Sequence, residues 1–185
     1  MPDINELGDL EIRDAATMRA LADPARLTIF EWLQRHGPAA PDRVAAETGT
    51  SAAEAESHLR ELASFELVTE ADAAWETIAK GIRFEPADDA ESQAAYRALA
   101  NEMIRRAGDV PGRWLADHEP GLEPEWRRVS GMSGARTLLT REEAEALDWK
   151  MEELLVPYVT RDASEAPDGA RPVRLLRYLL PEPPS

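Results

Sequence analysis

Hydrophobic positions in the first half of the chain recur at three- and four-residue intervals and are punctuated by proline and glycine, which predicts a series of short helices. Over residues 13–22 the apolar side chains Ala16, Met18 or Leu21 fall on one side of a first helix. Asp23-Pro24 then marks a helix start. Aspartate is a good N-cap, and proline at the first helical position gives up no hydrogen bond, so a second helix is expected from Pro24 to about His36. Leu27, Phe30 and either Trp32 or Leu33 would face the core. Gly37-Pro38 ends this helix and Pro41 opens the next. Between residues 41 and 68 the pattern predicts two helices separated by a tight turn. Val44, Ala45 and Thr48 share one side of the first, Gly49 stops it, and Ser51 restarts a longer helix carrying Ala55, Leu59 and Leu62 at helical spacing. Ser51 and Glu54 form a capping box, S-x-x-E.

The periodicity then shortens. Residues 67–70 and 75–78 flank the short segment 71–74, which predicts a hairpin. Helix, helix, helix-turn-helix and hairpin, in that order, describe a winged helix-turn-helix domain over residues 13–86, preceded by a poorly ordered arm over residues 1–12. Residues 88–107 set Tyr96, Leu99, Ala100, Met103, Ile104 and Ala107 on a single stripe, predicting a long amphipathic helix. Gly108 and Pro111 break it, and a brief helix near residues 113–118 leads into loop. Residues 135–139 read as a strand. Thr140 and Glu143 form a second capping box ahead of Ala144, Leu147, Met151, Leu154 and Leu155, so a further helix should end around residues 157–159. Residues 173–180 read as a buried strand and 181–185 as a disordered tail. The expected fold class is α+β and mainly helical: the winged domain, a linking or dimerisation helix over 87–108, and a small C-terminal α/β dimerisation or effector domain over 109–180.

Charge complicates this picture. The chain carries 36 Asp and Glu against 21 Lys and Arg, a formal net charge of -15, whereas nucleic-acid binders usually present a basic domain. The acidity is not confined to one half. Up to and including Glu85 there are 17 acidic against 8 basic residues, and 19 against 13 follow. With no cysteine there is no disulfide, thiolate nucleophile or thiolate metal site. His36, His58 and His118 form no ligand pair, so no metal is expected. Gly131 to Gly134 lacks the GK[ST] ending of a phosphate loop and reads as a turn. No nucleophile, metal or cofactor motif points to an enzyme. The acidic N-terminus is unlike a signal peptide, and no apolar run approaches the ~20 residues that span a bilayer, so a cytoplasmic location is expected.

The segment DPARLTIFEWLQRHGP, the helix pair after it, HLRELxxxxLV and W-x-x-x-A-x-G-I-R-F from Trp75 to Phe84 resemble ArsR-type winged helix-turn-helix regulators of the metal-free branch, best over residues 14–84. The resemblance implies a homodimer in which the second helix of each motif enters a major groove of duplex DNA and each wing touches a neighbouring minor groove. Carried over, the DNA-facing positions are Ser51, Ala52, Ala53, Glu54, Glu56, Ser57, His58 and Arg60. The chain departs from the family at several points. Members often carry hydroxylated or basic residues in place of Glu54, Glu56 and Ser57, a glycine in place of Glu66, and basic residues at the wing tip. The metal-sensing cysteines are absent.

Glu54 is accounted for by its cap. Glu56 has no such role, though a carboxylate can accept a hydrogen bond from cytosine N4. Arg43, Arg60, Lys80 and Arg83 are the cations best placed for phosphate contacts. The stripe with Tyr96, Leu99, Met103 and Ile104 is expected to be a dimer seam. Trp114, Trp126 and Trp149, with Tyr96 and Tyr158, read first as core packing, and the sharper alternative is a pocket for a small apolar effector between the helices over 88–107 and 140–158. The functional expectation is a homodimeric DNA-binding repressor acting on a short inverted repeat. The alternative is a winged-helix interaction protein that has lost DNA affinity and binds a protein partner or small ligand.

Overall fold

Aspartate, proline and glycine place the helix boundaries in the N-terminal half. The computed structural model describes residues 4–5, 8–161 and 163–182. Helix α1 (Ala15–Leu21) starts at Asp14, whose side chain accepts from the Thr17 amide at 2.8 Å. Helix α2 (Pro24–His36) starts at Asp23, which accepts from the Ala25 and Arg26 amides, both at 3.0 Å. Helix α3 (Pro41–Thr48) ends at Gly49, where φ is 73°, a left-handed value that glycine adopts at no steric cost. Helix α4 (Ala52–Ser64) begins with both bonds of the Ser51/Glu54 capping box in place.

Strands β2 (Val68–Ala71) and β3 (Ala74–Thr77) pair antiparallel around a two-residue turn, Asp72 and Ala73, both at positive φ. The hairpin is thus tighter than the four-residue loop expected. Two further strands correct the sequence reading. β1 (Asp9–Ile12) pairs in parallel with β4 (Gly81–Phe84), from Asp9 opposite Gly81 to Ile12 opposite Phe84. Residues 9–12 are therefore not part of an arm: Leu10 and Ile12 are buried, an alternation too short to stand out in sequence. Residues 1–3, 6 and 7 of that expected arm, and 183–185 of the expected tail, lie outside the described residues.

Helix α5 (Ala90–Ala107) closes the core by setting Ala95 and Leu99 inward, with α1 as its main neighbour. Met18, Ile29, Phe30, Leu33, Leu59 and Leu99 are among the largest side chains fully buried there. After α5 come α6 (Val110–Asp117), α7 (Pro124–Val129) and α8 (Arg141–Val159), with short 3-10 turns at Glu119–Gly121 and Ala163–Glu165. Among the described residues beyond α5, none is a fully buried hydrophobic, and Glu152 is the buried residue of α8. The strands expected over 135–139 and 173–180 are absent, both segments being irregular and exposed, so the expected C-terminal α/β domain is corrected to helix and irregular chain. Valine, leucine and tyrosine favour strands where a pleated surface is half buried, and no neighbouring strand offers these segments one. No helix among the described residues is long and apolar enough to cross a membrane.

The end of α4 explains one departure from the resembled family. The Leu67 amide donates to the Leu62 carbonyl at 3.1 Å, and Glu66 sits between them at φ 53°. This is the position after a helix that glycine fills at least cost, since a Cβ crowds the backbone there. Glu66→Gly is expected to raise stability by about 1 kcal/mol, read as a higher urea midpoint at unchanged m-value.

Candidate nucleic-acid interface

Helix α4 has two chemically distinct faces. Ala55, Leu59 and Leu62 point into the core, while Ala52, Ala53, Ser57 and Arg60 are exposed. Ala53, Glu56, Ser57, Arg60 and Glu61 line one open groove of about 490 Å³. Small side chains along such a face let another surface approach the helix backbone closely.

Glu54, Glu56 and Arg60 each have a local partner. Glu54 accepts from the Ser51 amide at 3.0 Å and from its hydroxyl at 2.7 Å, and the Glu54 amide donates back to the Ser51 hydroxyl at 3.2 Å. The Ser51 amide, then its hydroxyl, hold the Glu54 carboxyl below its usual value. Glu56 pairs with Arg60 one turn on, at 2.7 Å. That pairing gives a local partner to the carboxylate that sequence left unexplained. An exposed i,i+4 pair contributes only about 0.3–0.5 kcal/mol, so a polyanion could compete for Arg60. His58 is half-buried. On α3, the Arg43 guanidinium lies 5.5 Å from the ring centroid of Trp32 while the residue stays exposed.

Lys80 and Arg83 are placed elsewhere. The Lys80 ammonium donates to the Thr160 carbonyl at 2.6 Å. Arg83 contacts Glu152 directly and approaches Asp148 at 3.4 Å and Glu85 at 3.5 Å. Strand β4 pairs with β1, and these side chains engage α8 and its end. Sequence spacing placed them after the hairpin without revealing which element they would meet.

The expected seam changes at one position. Leu99 is fully buried within the chain and is not available to a seam, although Tyr96, Met103 and Ile104 remain exposed. A cleft of about 180 Å³ lies under α2 and β4, with Leu27, Phe30, Ile82, Phe84 and Met103 in its lining and Lys80 beside them.

Sequence reading missed a polar cluster. Arg177, from the C-terminal segment, approaches Asp148 and Glu152, each at 3.3 Å, so Arg83 and Arg177 share the two carboxylates. Asp148 and Glu152 are four apart on α8, the one signal that could have marked them as a pair. Asp9 borders the cluster. Burial, and then the nearby Glu152 charge, raise its carboxyl above the ordinary 3.8, against the opposing pull of Arg83. A raised folded-state value means that folding disfavours ionised Asp9. The penalty grows as pH rises past 3.8 and is constant at neutral pH. Asp9→Asn should therefore raise the melting temperature at pH 7, with no gain below pH 3.5, in paired thermal melts.

No family model, curated protein or solved structure matches this chain. Chemically, the face of α4 offers Arg60 as a releasable cation, with Ser57 and His58 as neutral hydrogen-bonding groups. It lies in a strongly acidic setting. From Pro41 to Thr77 there are nine carboxylates and two arginines.

Proposed function

We propose that this chain is a homodimeric, DNA-binding transcription regulator of the winged helix-turn-helix kind, with α4 as its recognition helix and the β2–β3 hairpin as a short wing. The observation that carries this reading is the pairing of α3 and α4 across a left-handed Gly49, with Ala52, Ala53 and Ser57 exposed along α4 and its opposite face locked into the core. Regulation would be repression by occlusion of a promoter, on a short inverted repeat matched to the two-fold axis of the dimer. Phosphate contacts would rest on Arg60 and Arg43, so affinity depends on few ions and should have a shallow salt slope.

Selecting DNA fragments from a random pool with the purified chain tests this reading. On a selected site, Arg60→Ala should lower affinity roughly tenfold, as a lost charged contact does. Glu56→Gln should raise it several-fold, because it both frees Arg60 and removes a carboxylate from the interface. Fluorescence anisotropy at two salt concentrations reads both.

The nine carboxylates between Pro41 and Thr77 favour a second reading, in which the same face docks a basic protein segment. A pool that yields no enriched sequence at low salt would select that reading over the first.

A further inference from the structure

The described residues expose twenty large hydrophobic side chains, and sixteen of them lie beyond α5. From their fractional exposures, the eleven of these on α8 and on residues 173–180 present on the order of 1,000 Å² of surface, taking aromatic side chains at roughly 150–250 Å² each and aliphatic ones somewhat less. A soluble monomer rarely shows a contiguous apolar patch above a few hundred Å², whereas about 800 Å² per partner is the norm for a stable complex. The surface is concentrated on two pieces. One is a single stripe of α8, its outer face, with Leu147 at 40%, Leu154 at 72% and Tyr158 at 67% exposure. The other is the segment 173–180, with Leu175 at 64%, Tyr178 at 69% and Leu180 at 77%.

These two pieces differ in charge. Between residues 170 and 180 the chain has Arg171, Arg174 and Arg177 and no carboxylate, in a protein of net charge -15. Helix α8 has six carboxylates and two cations. Within the chain Arg177 reaches both Asp148 and Glu152, which leaves Arg174 as the exposed cation that the segment presents outward. Arg171 likewise leaves the segment to stack over the Trp126 ring at 3.9 Å and pair with Glu123 at 3.2 Å. The segment is therefore pinned to acidic helix by its arginines while its leucines and tyrosine remain in water.

We propose that the 173–180 segment and the outer face of α8 form the interface between two copies of this chain, the basic apolar segment of each lying across the acidic apolar helix of the other. A second copy is the occupant that fits. It brings one basic segment and one acidic helix, so a single two-fold contact covers both exposed surfaces on both chains. An unrelated partner would have to match two surfaces of opposite charge. An extended segment docked beside other backbone also finds partners for its own amide and carbonyl groups. This interface is separate from the exposed α5 side chains Tyr96, Met103 and Ile104, and it does not depend on the DNA-binding reading.

The test is sedimentation equilibrium of the full chain between 1 and 100 µM, with three variants. The unmodified chain is expected at twice its monomer mass. Leu175→Ser/Tyr178→Ser/Leu180→Ser and Leu147→Ser/Leu154→Ser, which alter exposed side chains only, should each raise the dimer dissociation constant at least 100-fold. Their far-UV circular dichroism should be unchanged. Tyr96→Ser/Ile104→Ser on α5 should leave the dimer intact. A monomeric unmodified chain at 100 µM, an open-ended assembly, or a dimer that survives both C-terminal variants overturns the proposal. So does a dimer lost on changing α5 alone.

Discussion

Leu59→Ala is expected to cost about 3 kcal/mol of stability, within the range for emptying a fully buried leucine site. Leu59 is fully buried, with Ala55 one turn before it and Leu62 just after it on the same inward face of α4. The surrounding helices cannot collapse into the space without moving α4, so a cavity remains and its unfilled contacts add to the transfer loss. The loss should be large against a typical domain stability of about 5–15 kcal/mol. Urea unfolding would read it as a lower midpoint, with α-helical signal retained at zero denaturant. Exposed neighbours give the contrast. Ser57→Ala, two residues before Leu59 and so on the outer face, should change stability by less than about 0.5 kcal/mol.

Arg83→Ala should be the second large effect, at about 2 kcal/mol. Removing one partner of a buried ion pair is generally costlier, about 3–5 kcal/mol, because a desolvated charge is left behind. Here Arg177 remains beside Glu152 and Asp148, and the Arg83 side chain is about a third exposed, so solvent and the second arginine limit the loss. Arg83→Ala/Arg177→Ala should cost more than the two single changes added, since only the double variant leaves both carboxylates unpaired. A double-mutant cycle by urea unfolding measures that excess.

The N-terminal half was legible because its signals are local. Asp23-Pro24, Gly49 and the Ser51/Glu54 box each act within a few residues, and the structure places helix boundaries where those side chains require them. Strands β1 and β4 were not legible, because each is four residues long and their pairing joins positions more than seventy residues apart. The C-terminal half misled for the opposite reason. The segment 173–180 has the composition of a buried strand, but burial depends on a neighbour, and composition cannot supply one. At the candidate interface, the helix and its exposed positions were foreseen, whereas the engagement of Arg83 and Lys80 with the α8 region follows from tertiary contacts that no spacing encodes.

The hairpin turn forces Asp72 and Ala73 into positive φ, where neither residue is at rest, so the turn itself does little to hold β2 and β3 together. What fastens the hairpin is a reciprocal pair of backbone bonds between Trp75 and Ala39, at 2.8 and 3.0 Å, which ties β3 to the chain joining α2 and α3. The wing and that connection consequently open together or not at all. In hydrogen exchange, the amides of Ala39 and Trp75 should share one opening free energy, well above that of the amides at the tip.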